Sequence, residues 1–238
     1  MEFYGSVVGW TTQEFEGGKP YSMWCSAHSP VGGVAQLPEP AKAMGAAPHW
    51  MGNIAVDDVD ASRARVVELG GKALSDPMPI PGVGRLAPCM DPHGAVFALV
   101  QCDGEAPGHA GAVRVGEVGW SELSSDSWTE SWAFYSALLG WTQSQDMDMG
   151  PMGTYRMWRC GRDTGEGGMM NRPPGTPASA WLYYFTVASL EAALDAVRAG
   201  GGQVVNGPMD VPGGDRVAAC IDPQGAGFAL HECGPGDS

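Results

Sequence analysis

The chain is short of basic residues and has no long apolar stretch. Among its 238 residues, 13 Lys and Arg stand against 27 Asp and Glu, which gives a net charge of −14. This composition argues against nucleic acid and anionic membranes as partners, because phosphate recognition needs clustered Lys and Arg. No run approaches the length of a membrane span, and no basic segment leads into an apolar run near Met1. We therefore expect a cytoplasmic protein that binds neither nucleic acid nor a membrane.

Two widespread hydrolase motifs are also missing. The sequence contains no Gly-x-Ser-x-Gly nucleophile motif and no His-Glu-x-x-His zinc motif. These absences give no support to a serine hydrolase of that type or to a zinc peptidase. Any chemistry must therefore come from another arrangement of residues.

The sequence contains an internal repeat, in which one unit occurs twice. The segment VDDVDASRARVVELGGKAL from Val56 recurs as VASLEAALDAVRAGGGQVV from Val187. The segment RLAPCMDPHGAVFALVQC from Arg85 recurs as RVAACIDPQGAGFALHEC from Arg216, with the same offset of 131 residues. A constant offset over so long a span indicates a duplicated domain. We therefore predict domain 1 over residues 1–110 and domain 2 over residues 111–238.

Each copy predicts a strand, a helix and three further strands. The helix begins at a capping residue, Asp58 in one copy and Ser189 in the other, and stops at paired glycines. The Asp-Pro-x-Gly sequence at Asp91 and Asp222 predicts a turn between the last two strands. The repeated unit is therefore a βαβββ module.

The remaining part of each half follows the same order. Phe3-Tyr4 and Gly9-Trp10 in the first half match Phe134-Tyr135 and Gly140-Trp141 in the second. Counterparts of residues 118–132 are absent from the first half, so we predict that domain 1 lacks its first strand. Either the start site is misplaced, or another segment or a second chain fills the open edge, which leaves a homodimer open.

These motifs resemble the vicinal oxygen chelate superfamily, which includes glyoxalase I, bleomycin-resistance proteins and extradiol dioxygenases. The resemblance rests on the Phe-Tyr and Gly-Trp pairs, the helix that ends in Gly-Gly, and the Asp-Pro-x-Gly-Ala-x-Phe-Ala-Leu endings. It implies an α+β fold, a tandem duplication of glyoxalase/bleomycin-resistance-type domains. Each domain would pair βαβββ modules into a curved, mostly antiparallel sheet. A fold of this kind leaves the function open.

The resemblance also implies where a metal would be bound. Metal-dependent members carry a His, Gln or Glu on the first strand of each module and a Glu on the last strand, and these bind one divalent cation. The last-strand positions here are Ala98 and Ala229, and the first-strand positions are Met51, Trp120 and Leu182. None of these side chains is a ligand for a hard cation. We therefore predict no catalytic metal and no other cofactor.

Polar residues near those positions of domain 2 suggest a different chemistry. Glu122, Tyr184 and His231 each lie two residues beyond a mapped ligand position, and residues two apart on a strand share a face. A carboxylate, a phenol and an imidazole around one pocket are suited to acid-base catalysis. The alternative is that they are polar residues at a pocket rim or in an interdomain contact.

The mapped positions themselves are expected to line ligand pockets. The face in domain 1 is more apolar than that in domain 2 and indicates a hydrophobic binding cup. The predicted pocket residues are Met51, Asn53, Ala98, Trp120, Leu182 and Ala229.

Three further repeated pairs have structural interpretations. Arg85 and Arg216 are equivalents that could grip an anion, but an ion pair that steadies the strand is the interpretation we favour. Cys89 and Cys220 are also equivalents, as are Cys102 and Cys233. We predict that they are buried thiols and not members of disulfides, as expected in a reducing compartment.

Three functions are compatible with these patterns. The first is metal-independent binding of a small organic molecule, aromatic or cationic, since nine Trp and thirteen Met supply adaptable apolar surface. The second is a lyase, isomerase or hydroxylase-like enzyme that uses Glu122, Tyr184 and His231. The third is a protein-interaction module.

Overall fold

Segments from both sequence halves combine in each of two units. The computed structural model describes residues 2–14, 22–43, 45–80, 82–104, 111–160 and 167–234. Unit 1 comprises Met1–Trp50, Ala110–Trp120 and Tyr183–Ser238, and unit 2 comprises Met51–His109 and Ser121–Leu182. The predicted domain boundary at residue 110 lies outside the described residues and stays a prediction.

The described part of the chain forms five α-helices and sixteen strands. The helices are α1 (Glu2–Val8), α2 (Glu39–Ala43), α3 (Val59–Glu68), α4 (Trp128–Leu139) and α5 (Leu190–Ala199). The strands are β1 (Thr11–Glu14), β2 (Ser22–Cys25), β3 (Pro30–Val34), β4 (Asn53–Ala55), β5 (Lys72–Ala73), β6 (Met78–Ile80), β7 (Gly84–Met90), β8 (Val96–Cys102), β9 (Val118–Ser125), β10 (Thr142–Asp148), β11 (Thr154–Arg159), β12 (Gly167–Asn171), β13 (Ala180–Thr186), β14 (Gln203–Asp210), β15 (Arg216–Ile221) and β16 (Gly227–Glu232). None of the described helices is long and apolar enough to cross a membrane.

Unit 1 contains two groups of paired strands. β1, β2 and β3 form an antiparallel sheet in that order. The second group has the order β13-β16-β15-β14, in which β13 and β16 run parallel and the other neighbours run antiparallel. Strand β13 enters unit 1 at Tyr183.

Unit 2 has the same general plan. One group has the order β4-β8-β7-β5, with β4 parallel to β8 and with β6 paired to β7. The other has the order β10-β11-β12-β9, with β12 parallel to β9. The predicted α+β fold of curved, mostly antiparallel sheets is confirmed.

The repeated helices begin where their capping residues predict. Asp58 Oδ1 accepts hydrogen bonds from the backbone N–H groups of Asp60 and Ala61, both at 2.9 Å, and α3 follows directly. Ser189 Oγ accepts from the N–H of Ala192 at 3.3 Å before α5. Each helix then buries its apolar side chains against its own unit.

Aromatic rings fill the centre of unit 2. Trp141 and Trp158 are stacked with ring centroids 3.8 Å apart, and Tyr135 stacks on Trp141 at 5.3 Å. Trp181 meets Tyr135 edge to face at 5.3 Å. Such contacts add to the free energy gained from burying the rings, so this aromatic cluster anchors α4 and the two strands β11 and β13 in one core.

A chain of hydrogen bonds runs from this cluster to the Asp-Pro-x-Gly turn. Trp181 Nε1 donates to Tyr135 Oη at 3.1 Å, and Tyr135 Oη donates to Asp91 Oδ2 at 3.2 Å. Asp91 Oδ1 accepts from the N–H groups of His93 and Ala95, both at 2.9 Å. Burial raises the pKa of Asp91, although these hydrogen bonds oppose the shift. The carboxylate closes its own turn and also binds a tyrosine from the other sequence half.

Unit 1 has the same series of hydrogen bonds, but here the tyrosine comes from the first sequence half and the aspartate from the second. Trp50 Nε1 donates to Tyr4 Oη at 2.8 Å, and Tyr4 Oη donates to Asp222 Oδ2 at 2.9 Å. Burial raises the pKa of Tyr4 well above its usual range. Each unit thus joins a tyrosine of one half to an aspartate of the other. The motifs that reveal the repeat therefore also hold each unit together.

The further repeated pairs behave as predicted with one exception. Arg85 pairs with Asp60 in unit 2, and Arg216 pairs with Glu191 in unit 1, each at 2.5 Å. None of the six cysteines forms a disulfide, but Cys102 and Cys233 are only half-buried, so the prediction of burial is wrong for them. Cys89 and Cys220 are buried. Burial raises the pKa of both thiols to about 11, so they stay protonated near neutral pH.

Candidate functional site

The last-strand positions expected to bind a cation carry buried alanines. Ala98 in β8 is fully buried, and its register partner on β4 is Asn53. Ala229 in β16 is also fully buried, and its register partner on β13 is Tyr184. A methyl group offers no donor atom to a metal, so neither position supplies the expected carboxylate.

The first-strand positions are no better suited to a cation. Met51 lies in unit 2 just before β4, Leu182 lies in β13, and Trp120 lies in β9; all three side chains are half-buried. In the described ranges no three His, Cys, Asp or Glu side chains are grouped so as to hold a metal. The residues present at these positions do not fit a divalent cation.

A carboxylate and a phenol form a hydrogen-bonded pair in unit 2. Tyr155 Oη, on β11, donates to Glu122 Oε2, on β9, at 3.1 Å. Leu123 and Met169 are fully buried in the core of the unit. Because side chains alternate along a strand, Glu122 and Gly168 face the opposite side of the sheet. We call this side the Glu122 face.

Two adjacent glycines of β12 make room for this arrangement. Gly168 is the register partner of Glu122, and a Cβ added to it would stand 2.1 Å from Cζ of Tyr155. A Cβ on Gly167 would stand 2.1 Å from Cζ2 of Trp158. The absence of side chains thus lets one aromatic ring cross β12 on each face. A larger residue at position 168 would push Tyr155 away from Glu122.

Two methionines lie on the same sheet face as the pair. Met157 is the register partner of Gly168, and Met170 lies two residues beyond Gly168, so both belong to the Glu122 face. Met170 also lines a cavity of about 290 Å³. Met152 and Arg172 lie on other parts of its wall. This volume is close to the lower end of the range for small-molecule pockets, but neither Glu122 nor Tyr155 lines the cavity.

Tyr184 and His231 come together in unit 1. Tyr184 is the register partner of Ala229, and Thr186 is the register partner of His231, on the parallel strands β13 and β16. The two predicted polar residues therefore share one face of that sheet, as alternation predicted. Glu122 belongs to unit 2, so the three predicted acid-base residues are divided between the units. Their catalytic role stays a prediction.

Both nitrogens of His231 are enclosed. Its Nε2 lies 2.7 Å from Asp215 Oδ2, while Asp215 Oδ1 accepts a hydrogen bond from the N–H of Gly234 at 2.7 Å. Burial alone would raise the pKa of Asp215, but the hydrogen bonds from Gly234 and His231 hold it below its usual value. The Nδ1 atom is buried and makes no hydrogen bond within the described part of the chain. This imidazole would have to turn before it could exchange a proton with a ligand.

Gly119 explains how the ring is accommodated. A Cβ at this position would stand 2.6 Å from both His231 Nδ1 and Thr186 Oγ1. The hydroxyl of Thr186, like Nδ1, is buried without a hydrogen-bond partner among the described residues. Only a glycine leaves space for both side chains here.

Sequence reasoning missed Tyr155 and Asp215, the direct partners of Glu122 and His231. The members of each pair lie 33 and 16 residues apart in the chain. No motif or spacing marks either pair. Only the tertiary structure brings them together, because β12 lies between the strands of Glu122 and Tyr155, and Asp215 lies in the turn before β15.

The comparisons with known proteins agree with the motifs. A family model described as "Glyoxalase/Bleomycin resistance protein/Dioxygenase superfamily" matches residues 118–230. A Mycobacterium bovis protein named "Putative glyoxylase CFP32" is 37% identical over 241 residues, which cover 98% of this chain and 89% of that protein. The anthracycline biosynthesis protein DnrV of Streptomyces peucetius is 32% identical over 244 residues, with coverages of 97% and 87%.

Solved structures share the fold at lower identity. The Mn(II)-bound glyoxalase from Novosphingobium aromaticivorans superposes with a TM-score of 0.64 and 18% identity, covering 97% of this chain and 76% of that one. The 2,3-dioxygenase LapB from Pseudomonas sp. KL28 superposes with a TM-score of 0.66 and 14% identity, with coverages of 98% and 86%. At such low identity the likeness shows the fold alone.

Proposed function

Because the chain belongs to the glyoxalase/bleomycin resistance protein/dioxygenase superfamily, we propose that it binds a small organic molecule on the Glu122 face without a divalent cation. The observation that carries this proposal is the Tyr155–Glu122 hydrogen bond on a sheet face that also carries Met157 and Met170. A ligand site of this type combines apolar surface with a few placed polar groups. The superfamily's cation positions hold apolar residues such as Ala98 and Ala229, so the pair would orient the ligand in place of a metal.

The chemistry of this face favours a planar aromatic ligand that carries an amine. Met157 and Met170 are flexible, polarisable side chains that adapt to planar rings, and Tyr155 adds an aromatic ring with a polar tip. The net charge of −14 attracts cations. Two relatives, DnrV and DauV, are anthracycline biosynthesis proteins 32% and 33% identical to this chain. Anthracyclines are planar polycyclic compounds, and many carry an amino sugar.

Titration with doxorubicin, an amine-bearing anthracycline, tests this proposal. The protein is first dialysed against a chelator, and ligand fluorescence is followed at physiological ionic strength so that unspecific charge attraction is screened. We expect saturable binding of one ligand per chain. Glu122→Gln and Tyr155→Phe should each raise Kd about tenfold, since one hydrogen bond to a charged group is worth roughly 1.4 kcal/mol or more.

Glu68→Gln is the matched control, because it makes the same chemical change at an exposed helix position. It should bind like the wild type. Three results would contradict the proposal: stoichiometric Mn, Fe, Ni or Zn in the purified protein, loss of binding on chelation, or wild-type affinity in both site variants.

A second candidate is a metal-independent lyase, isomerase or hydroxylase-like enzyme. Two carboxylate pairs favour it, Glu122 with Tyr155 at 3.1 Å and Asp215 with His231 at 2.7 Å. Glu122 would accept a substrate proton, and the Tyr155 hydroxyl, which donates to the same carboxylate, would stabilise its ionised form before the transfer. If both the Glu122→Gln and the His231→Ala variant still turn over a candidate substrate, these residues do not have the proposed acid-base roles. Turnover lost in Glu122→Gln with binding retained would favour the enzyme.

A further inference from the structure

The cavity that Met170 lines in unit 2 lies close to the Glu122 face. Its volume is about 290 Å³, and its walls are formed by residues 151–153, before β11, and residues 170–174, at the end of β12. The first range ends two residues before Tyr155, and Met170 belongs to the Glu122 face itself. Two residues span at most about 7 Å. A fused ring system bound beside Tyr155 is therefore long enough to reach the cavity.

The walls of this cavity are mostly apolar, and parts of them are rigid. Three of the eight lining residues are prolines, in which the ring fixes the φ angle. Met152 and Met170 add flexible, polarisable side chains that adapt to a ring. Met152 is 51% exposed, so a ligand that covers it removes apolar surface from water.

Arg172 is the only charged residue in the wall of this cavity, and hydrogen bonds fix its position. Its backbone N–H donates to the carbonyl oxygen of Ser125 at 2.7 Å. Its Nε donates to Asp126, and its Nη1 donates to the carbonyl oxygen of Thr176. The Nη2 atom has no acceptor among the residues that the structure describes. The guanidinium group is thus held in place with donor capacity left over.

The charges around Arg172 favour a neutral acceptor. Asp126 already balances the guanidinium charge, and the chain as a whole carries a net charge of −14. A carboxylate bound at Nη2 would be repelled by Asp126 and by this net charge. A carbonyl oxygen accepts the same hydrogen bond without the repulsion, and a charged donor makes that bond stronger than a neutral one would.

We propose that Arg172 binds a carbonyl oxygen of the same aromatic ligand whose amine is bound by Glu122. This inference rests on the proposed function and narrows its ligand class to aryl ketones and quinones that carry an amine. The amine lies at the Tyr155–Glu122 pair, the rings lie against Met170, and the carbonyl oxygen lies in the cavity. Because Arg172 is fixed before the ligand arrives, little side-chain entropy is lost on binding.

Two probes that differ only in their carbonyl groups test this proposal. They are aminomethyl-anthraquinone and aminomethyl-anthracene, substituted at the same ring position, and each is titrated into the intact chain by calorimetry at physiological ionic strength. The quantity of interest is the Kd of the anthraquinone probe divided by the Kd of the anthracene probe. We expect Arg172→Met to raise this ratio about tenfold, because it removes one hydrogen bond from a charged donor.

Two further variants control this experiment. Arg65→Met makes the same change at another arginine of unit 2 that pairs with a carboxylate, and it should leave the ratio unchanged. Arg172→Lys covers the case in which Arg172→Met does not fold, because it keeps a cation beside Asp126. Lysine has a single nitrogen in place of the planar fork of arginine. An ammonium group held by Asp126 therefore does not replace Nη2, and the ratio should again rise severalfold.

The outcomes separate this inference from the proposed function. Glu122→Gln should weaken both probes by the same factor, because both carry the amine. If it does so while Arg172→Met and Arg172→Lys leave the ratio unchanged, the ligand site stands and the role of Arg172 is wrong. If neither probe binds, or if Glu122→Gln and Tyr155→Phe leave both Kd values unchanged, the proposed function fails and this inference fails with it.

Discussion

Replacing Tyr135 by phenylalanine tests the hydrogen-bond chain that joins the two sequence halves in unit 2. The substitution keeps the ring, and with it the stacking on Trp141. It removes the hydroxyl that donates to Asp91 and accepts from Trp181. Asp91 is 2% exposed, so water cannot replace the lost donor without rearrangement.

The expected cost follows from the partners that are left behind. A hydrogen bond to a charged group contributes about 1.5–3 kcal/mol, and a neutral one about 1 kcal/mol. Asp91 keeps two backbone donors, which limits the loss. We therefore expect Tyr135→Phe to lower the free energy of unfolding by roughly 2–3 kcal/mol at pH 7.

The penalty should also depend on pH in a defined direction. Burial raises the pKa of Asp91, and the Tyr135 hydrogen bond opposes that shift. Protonated Asp91 therefore makes its full contribution to stability below the pKa of the aspartate in the unfolded chain, about 4. This contribution is lost as the pH rises through the higher pKa that Asp91 has in the folded protein. Because the tyrosine stabilises the ionised form, Tyr135→Phe should cost more at pH 7 than at acid pH.

Urea unfolding of wild type and Tyr135→Phe between pH 4 and pH 7 measures both effects. Tyr4→Phe, the equivalent change in unit 1, provides the comparison, and Asp91→Asn with the double variant completes a cycle that isolates the Tyr135–Asp91 coupling. A loss below about 0.5 kcal/mol, within the range of ordinary surface substitutions, would refute the reasoning. A penalty that grows as the pH falls would refute the assignment of Asp91.

Three other predictions concern single sites. Gly119→Ala should destabilise the fold markedly in a thermal melt, because its Cβ would stand 2.6 Å from His231 Nδ1 and would have to displace the ring; an unchanged Tm would show that the ring moves without cost. In native protein at pH 8, a thiol reagent should modify the exposed Cys160 quickly and the buried Cys89 slowly, since burial raises the pKa of the Cys89 thiol to about 11; equal rates would contradict this. Arg85→Ala should leave Tm nearly unchanged because its ion pair is exposed, and a large loss would show a role that this ion pair does not explain.

Local chemistry explains why much of the fold could be predicted. The cap at Asp58 and the Asp-Pro-x-Gly turn at Asp91 act within a few residues, so the sequence alone specifies them. The sequence predicted that Arg85 forms an ion pair, but it did not identify Asp60 as the partner of Arg85. The candidate site was even harder to predict from the sequence. Glu122 was singled out by strand alternation, but its partner Tyr155 lies on a strand two places away in the sheet.

By itself the sequence determined the superfamily, the order of helices and strands, and the absence of cation ligands at the expected positions. These are properties of residue types, of short-range spacing and of a repeat with constant offset. Only the tertiary structure decided that Tyr135 binds Asp91 and that Tyr4 binds Asp222. The two aspartates have nearly the same local sequence, so either tyrosine could have bound either one. The packing of whole modules against each other made that choice, because it sets which half of the repeat completes each unit.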